Sequence, residues 1–314
     1  VERNNVHFLT GITFSPVSMA IQSYVREKRI LFVNSGSGND DLIKPPFCDR
    51  YFFKNFLAMA IHCAGIQEIA KGLGPRWYFI ADDFRWGKVC IENYKKAIQL
   101  VRPDFKVVGE DYPPLGEINY APYITKIMAA NPDGLALATY GTGWSRVVKH
   151  ARQMNLKCHI HHSYWSLSDI RATGDAIFGV TTSSDFLNES PHTPRAKMFS
   201  EKFKEKFGEY PGLHGATGFN GVEVIMEAVK VAGTIDTETV IDTMESMVYQ
   251  NSVQGPNFHF RKSDHNPISN INVFEIVKDP KYTYGAKILW YGLPLFLLPP
   301  DDKTGCDEVM KKKA

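Results

Sequence analysis

The sequence predicts an α/β fold of two lobes, in which each lobe is a mostly parallel sheet flanked by helices and hinge strands join the lobes. Short apolar runs alternate with longer amphipathic segments along most of the chain, and this alternation is typical of βαβ units. A polar or glycine-rich loop follows most of the apolar runs. The length of 314 residues allows two domains, and 44% hydrophobic residues can form two cores.

The elements follow in order from the spacing of the apolar residues. Val17, Ala20 and Ile21 recur at helical spacing, whereas 30–33 is a short, fully apolar run that predicts a buried strand. The predicted strands are 6–9, 30–33, 51–53, 77–81, 106–110, 134–139, 159–162, 258–261, 271–277 and 286–290. The predicted helices are 16–28, 56–73, 87–101, 120–130, 144–154, 193–207, 218–232 and 237–247.

Two breaks in the alternation predict where the chain crosses between the lobes. The first is 72–76, which carries two glycines and a proline, and the second is 183–186. We therefore expect a first lobe of residues 1–74 plus 187–270 and a second lobe of residues 75–186 plus 271–314.

Composition excludes several classes of function. The chain has 36 Lys and Arg residues and 34 Asp and Glu residues. It therefore lacks the basic excess that would indicate a nucleic-acid partner. No apolar stretch is long enough to span a bilayer. The cysteines are few and scattered, which allows one disulfide and does not exclude a reducing compartment: Cys48, Cys63, Cys90, Cys158 and Cys306.

Motifs for catalysis and for metal binding are missing from the sequence. There is no Gly-x-Ser-x-Gly nucleophile elbow and no Walker loop, and the neighbouring Asp82 and Asp83 diverge on an extended segment. On a strand, His159 and His161 face away from His162, so these residues do not make a tetrahedral site. We expect no catalytic residue, no cofactor and no required metal; an enzyme on a flavodoxin-like fold is the weakest alternative.

Five segments, in order and spacing, carry a resemblance to a known family. They are 30–37, 50–54, 80–87, 132–141 and 206–211. Together they cover roughly residues 6–277, and over this span the sequence resembles the type I periplasmic binding proteins of ABC importers, in the branched-chain amino acid group.

The resemblance implies a solute-binding protein that closes two lobes around a small organic acid or amino acid and delivers it to a membrane permease. It also implies a monomer in the periplasm, or one that is extracytoplasmic and lipid-anchored. The same fold serves the ligand-sensing domains of regulators and signalling receptors, which is the alternative function.

The chain departs from the family in two places. Family members begin with a strand–helix–strand–helix section that this sequence lacks, so we expect an opening section to precede these residues in the natural protein. Where the family often has Gly-Pro-x-Ser-Ser, residues 11–15 are Gly-Ile-Thr-Phe-Ser, so that the bulky Phe14 replaces a small polar residue near the ligand.

By resemblance, the first lobe holds the carboxylate of the ligand at Ser15, Ser35, Gly36 and Ser37. Loop N–H groups and hydroxyls at the start of a helix suit an anion. The alternative is an ordinary turn with capping serines.

Aromatic residues of the second lobe supply the apolar walls of the predicted site. They are Trp86, Tyr140, and Tyr164 or Trp165, and each follows the end of a predicted strand, where ligands of α/β sheets bind. The alternative is that they are core residues.

The charge of the second lobe bears on the ligand's chemistry. In amino-acid-binding relatives an acidic residue follows a second-lobe strand and takes the ammonium, but the loop 161–166 has no carboxylate. Because a buried, unpaired ammonium is costly, we predict a small carboxylate with an apolar or aromatic body rather than a zwitterion. Asp185, near the second crossing, is the reserve partner for an ammonium.

Overall fold

A computed structural model of the chain describes residues 2–188, 190–281, 284–294 and 298–311. Its strands are β1 (Phe8–Gly11), β2 (Leu31–Asn34), β3 (Phe52–Lys54), β4 (Arg76–Ala81), β5 (Lys106–Asp111), β6 (Gly134–Ala138), β7 (His159–His162), β8 (Thr181–Ser184), β9 (His259–Phe260), β10 (Pro267–Ile268), β11 (Ile271–Val277) and β12 (Gly285–Gly292). Its α-helices are α1 (Ser15–Lys28), α2 (Met59–Ala64), α3 (Ile66–Ala70), α4 (Arg85–Val101), α5 (Ala121–Ala130), α6 (Gly143–Gln153), α7 (Leu167–Thr173), α8 (Pro194–Phe207), α9 (Leu213–Ala232), α10 (Thr237–Ser246) and α11 (Asp307–Met310).

The first of two compact units comprises residues 1–58, 188–270 and 298–314. Its main sheet is parallel, in the order β1-β2-β3, and β2 is buried along its whole length. Helix α1 has Pro16 in its first turn and ends at Arg29, which takes the left-handed conformation of a helix C-cap. Helix α9 packs on β1 and β2, while β9 and β10 form a separate antiparallel pair.

The second unit comprises residues 59–187 and 271–297 and contains a seven-stranded sheet. The strand order is β12-β11-β8-β7-β6-β4-β5, with parallel pairing from β5 to β8 and antiparallel pairing at β11 and β12. Strand β6 is buried throughout and β4 is buried from its second residue on, as expected for parallel strands covered on both faces. The predicted α/β class with mostly parallel sheets is confirmed.

The unit boundaries differ from the predicted lobes at two positions. The chain leaves the first unit after Ala58 rather than within 72–76, because α2 and α3 pack against α4 of the second unit's own core. The C-terminal segment belongs to the first unit because a disulfide joins Cys306 to Cys48. The remaining three cysteines form no disulfide, so the single bridge that the sequence allowed is present.

The predicted helix 56–73 is broken at Gly65, which separates α2 from α3. A Cβ atom at this position would lie 2.0 Å from the Oγ of Ser183, so only glycine allows the helix to approach β8 this closely. The short helix α7 was not predicted. Within the described ranges, no helix is both long and apolar enough to cross a membrane.

Candidate functional site

In the first unit, the loop after β2 is organised by the side chain of Asn34, which is fully buried. Its Nδ2 donates to the hydroxyl of Ser18 at 2.8 Å and to the carbonyl of Ile12 at 3.2 Å. Its Oδ1 accepts the backbone N–H of Ser37 at 2.9 Å. One amide therefore ties the end of β2 to helix α1 and to the loop before that helix.

Two backbone features of this loop require the residues that are present. A Cβ atom on Gly36 would lie 2.6 Å from the Cγ2 of Thr13, so the two chain segments approach too closely for any other residue. Ile12 has φ of 66°, a left-handed conformation that costs a β-branched residue about 1–3 kcal/mol. Bonds to its carbonyl from Asn34 and from the Ser37 hydroxyl (3.1 Å) oppose that cost.

The structure brings three of the predicted first-lobe serines to this loop, all buried. The Ser15 hydroxyl accepts the N–H of Asn39 at 3.4 Å, and the Ser35 hydroxyl lies 3.0 Å from that of Thr10. Ser37 bonds within the protein through both its hydroxyl, to the Ile12 carbonyl, and its N–H, to the Asn34 side chain. Its contribution to the loop is therefore support for the backbone.

Two more residues complete the geometry of the first unit's loop. Phe14 precedes α1 and keeps 40% of its surface exposed. Lys54, which sequence reasoning did not single out, is fully buried at the end of β3 and donates to the Gly38 carbonyl at 3.2 Å. Its Nζ also lies 3.5 Å from Asp40 Oδ1, and burial lowers the pKa of the ammonium. The buried Lys54 side chain thus holds the polar loop in place through its contacts with Gly38 and Asp40.

In the second unit, four aromatic rings meet at the ends of β4, β6 and β7, and we call them the aromatic cluster: Phe84, Trp86, Tyr140 and Tyr164. The Trp86 ring lies 6.0 Å from Tyr140 and 5.8 Å from Tyr164, both edge to face, and 5.7 Å from the stacked Phe84. Three predicted residues are therefore neighbours, and Phe84 is an addition. Parallel strands end at one edge of a sheet, which is why residues distant in sequence converge here.

The structure separates the two alternatives for the third aromatic residue. Tyr164 belongs to the cluster, whereas the Trp165 side chain is fully buried and its indole N–H donates to the Phe186 carbonyl at 3.1 Å. Asp185 is buried directly after β8, beside Phe186.

Two buried carboxyl groups lie beside the aromatic cluster. Asp82 Oδ2 accepts the backbone N–H of Tyr140 at 2.6 Å, and burial raises the pKa of Asp82 to about 6, although that bond opposes the rise. Asp169 lies in the first turn of α7, and burial raises its pKa against the opposing polar groups of Trp144 and Ser166.

Asp169 was not among the site residues predicted from the sequence. Its charge contributes to raising the pKa values of Tyr140 and Tyr164, in both cases after the larger effect of burial. The loop 161–166 itself has no acidic residue, as predicted, but the next helix turn supplies one to the same neighbourhood. Helix α7 was not among the predicted helices, so no signal in the sequence analysis marked Asp169.

Comparison with known proteins shows the family to which the chain belongs. A family model described as periplasmic binding protein matches residues 1–281. The chain belongs to this family. It is similar to the Leu/Ile/Val-binding protein homolog 4 of Brucella melitensis biotype 1, with 26% identity over 293 residues that cover 90% of this chain and 67% of the relative. The family comprises solute-binding proteins of ABC transporters, which act outside the cytoplasm and are not enzymes.

Solved structures show the same fold. An amino acid ABC transporter substrate-binding protein from Pseudomonas fluorescens Pf-5 matches with a TM-score of 0.86 and 22% identity, covering 97% of this chain and 82% of that one. A solute-binding protein from R. palustris in complex with benzoate matches with a TM-score of 0.81 and 19% identity, covering 93% and 79%.

The three histidines of β7 make their contacts within the second unit of this periplasmic binding protein. His159 and His161 both bond the Thr181 hydroxyl, at 2.8 and 2.9 Å, and burial lowers their pKa values. His162 stacks on Trp144, and burial lowers its pKa to about 4. In the part of the chain that the structure describes, no group of three or more His, Cys, Asp or Glu side chains could hold a metal ion.

Proposed function

We propose that this protein captures a small carboxylate-bearing molecule outside the cytoplasm and delivers it to the membrane permease of an ABC importer. The aromatic cluster carries the proposal, because ligand pockets combine aromatic walls with a few placed polar groups. The disulfide between Cys48 and Cys306 supports a periplasmic location, since such bonds persist in oxidising compartments.

In the proposed complex, the two lobes close on the ligand. Trp86, Tyr140 and Tyr164 pack on its apolar or aromatic body, and Phe14 adds an exposed ring from the first unit. The carboxylate binds at Ser15, Ser35 and Gly36, whose loop Ser37 supports. The buried ammonium of Lys54 adds a favourable field for an anion at this loop.

An organic acid is the first candidate ligand, and an amino acid is the second. The absence of a carboxylate from the loop 161–166 favours the acid. The amino acid is favoured by Asp169, because a buried carboxylate beside Tyr140 and Tyr164 would pair with an ammonium. One of the similar proteins is named for Leu, Ile and Val binding and another was solved with benzoate, so both chemistries occur among the relatives.

Titration calorimetry on the ligand-free protein tests the proposal with two matched pairs. Leucine is compared with its deaminated keto acid, and phenylalanine with benzoate. We expect at least one acid to bind, and each acid to bind more tightly than its amino acid. A buried ammonium without a partner costs at least about 1–3 kcal/mol, so the preference for the acid should reach about ten-fold or more.

Asp169→Asn identifies the second candidate. If the amino acids bind more tightly and this substitution removes their advantage while the acids are unaffected, the ligand is an amino acid held by Asp169. Failure of all four compounds and of a wider thermal-shift panel of small acids to bind would contradict the proposed ligand class.

A further inference from the structure

Asp82 lies where the parallel strands β4 and β6 end. Ala81 is the register partner of Ala138, so Asp82 and Tyr140 follow as neighbours beyond the paired strands. The backbone N–H of Asp82 donates to the Ala138 carbonyl at 3.2 Å, and its Oδ2 accepts the N–H of Tyr140 at 2.6 Å. Beyond the last pair of β4 and β6, the side chain of Asp82 therefore accepts the backbone hydrogen bond and holds Tyr140 in the loop that leads to α6.

The other oxygen of this carboxylate has no hydrogen-bond partner among the residues that the structure describes. Asp82 is fully buried, and the Tyr120 hydroxyl and the Thr139 hydroxyl are likewise buried without a partner. Each unsatisfied buried polar atom lowers the stability of the fold by about 1–3 kcal/mol. Three such atoms in one region are therefore unusual.

The titratable groups that face Asp82 are phenols rather than cations. Tyr120 at the start of α5 and Tyr164 after β7 both have pKa values raised, burial being the main cause and the charge of Asp82 a smaller one. Asp169 acts on Tyr140 and Tyr164 from α7. Within the described ranges, no Lys, Arg or His side chain forms an ion pair with Asp82.

We propose that Asp82 is a positioning residue for ligand binding, whose ionised carboxylate holds the Tyr140 backbone in place and whose protonation weakens that hold and lowers ligand affinity. The inference rests on the proposed function, in which Tyr140 contacts the ligand. Tyr140 reaches the aromatic cluster through its ring, 6.0 Å from Trp86, while its N–H is bound to Asp82.

The proton has a defined place to go. It binds the unpartnered Oδ1, which leaves Oδ2 as a neutral acceptor for the Tyr140 N–H, and neutral bonds are roughly half as strong as charge-assisted ones. Ligand binding that favours the ionised form lowers the pKa of Asp82 from its value of about 6 in the free protein. Affinity is then full above that pH and falls as the pH drops through it, by up to ten-fold per unit.

Calorimetric titration with benzoate and with leucine between pH 5 and pH 8 tests the inference on wild type and Asp82→Asn. Asparagine keeps a neutral acceptor for the Tyr140 N–H and cannot ionise. We expect wild-type affinity for the probe that binds to fall about five- to ten-fold from pH 7.5 to pH 5. Asp82→Asn should bind with the wild type's low-pH affinity at every pH, within two-fold.

Asp111→Asn is the matched control, because Asp111 ends the neighbouring strand β5 and pairs with Tyr78 and Lys126 instead. It should keep the wild-type pH profile. A flat wild-type profile, or an Asp82→Asn profile with the wild-type slope, overturns the inference and in the second case assigns the slope to another group such as Asp169. If neither these probes nor any acid of the thermal-shift panel binds wild type, the proposed ligand class fails and this inference fails with it.

Discussion

The loop after β2 in the first unit and the ends of β4 and β6 in the second unit differ in how fully their buried polar side chains are hydrogen-bonded. In the first unit, Asn34 bonds through both ends of its amide, and the hydroxyls of Ser18 and Ser37 lie 2.6 Å apart. In the second unit, one carboxylate oxygen of Asp82 and the hydroxyl of Thr139 have no hydrogen-bond partner within the described part of the chain.

This difference indicates what each region is for. A satisfied network stabilises the fold and keeps a loop in one conformation, whereas unsatisfied buried atoms cost stability. We infer that the first unit offers a finished scaffold for an anion and that the second unit keeps polar groups whose cost is tolerated for binding. The buried charges are also opposite, with Lys54 behind the first loop and Asp82 and Asp169 beside the aromatic cluster.

Removing the disulfide should have the largest effect on stability, and this effect should distinguish the units, because among the described residues only the first unit has a disulfide. The bridge joins Cys48 and Cys306 across 258 residues, and the chain-entropy account gives about 5.5 kcal/mol for a loop of this size. We expect Cys48→Ser with Cys306→Ser to lower the free energy of unfolding by about 3–5 kcal/mol, measured by denaturant titration.

Hydrogen exchange shows where that loss acts. Faster exchange should be confined to peptides of the first unit, and Cys158→Ser, which changes a free thiol of the second unit, should have a much smaller effect. A loss below 1 kcal/mol, or faster exchange mainly in the second unit, would contradict this assignment.

Asn34→Ala should have the next largest effect. The substitution leaves the Ser37 N–H and the Ile12 carbonyl without their amide partner, and it removes support for a strained backbone. We expect the free energy of unfolding to fall by about 2–3 kcal/mol. Gln99→Ala, at an exposed helix position, should change it by less than about 0.5 kcal/mol, and an equally small effect for Asn34→Ala would refute the scaffold interpretation.

Sequence reasoning could place the aromatic residues because position after a parallel strand is a property of the local pattern. Trp86, Tyr140 and Tyr164 each follow a run that predicts a strand, and the sheet order then brings them together. The α/β class was predictable for the same reason.

Features that depend on distant pairing could not be read from the sequence. Which two cysteines join depends on where the tertiary fold carries residues 48 and 306. Lys54 and Asp169 matter to the site because they are buried. Burial of a single charged residue in a short strand or helix cannot be predicted from the sequence. The first boundary between units was misplaced because the helical pattern of 56–73 does not reveal that α2 and α3 pack against α4 of the second unit.

We infer that the unsatisfied polar groups at the strand ends of the second unit lower the stability of the fold. The raised pKa of Asp82 means that the folded state binds a proton more readily than the unfolded chain. Stability from this group is therefore present at low pH, is lost as the pH rises from about 4 to about 6, and stays lost above that. Asparagine cannot ionise, so it avoids this loss.

The free energy of unfolding of Asp82→Asn at pH 7.5 is the most direct test. The account predicts that the variant is about 1–2 kcal/mol more stable than wild type at this pH and within about 0.5 kcal/mol of it at pH 4. A variant less stable than wild type at pH 7.5, as expected for Asn34→Ala, would show that Asp82 serves the fold and would contradict the account.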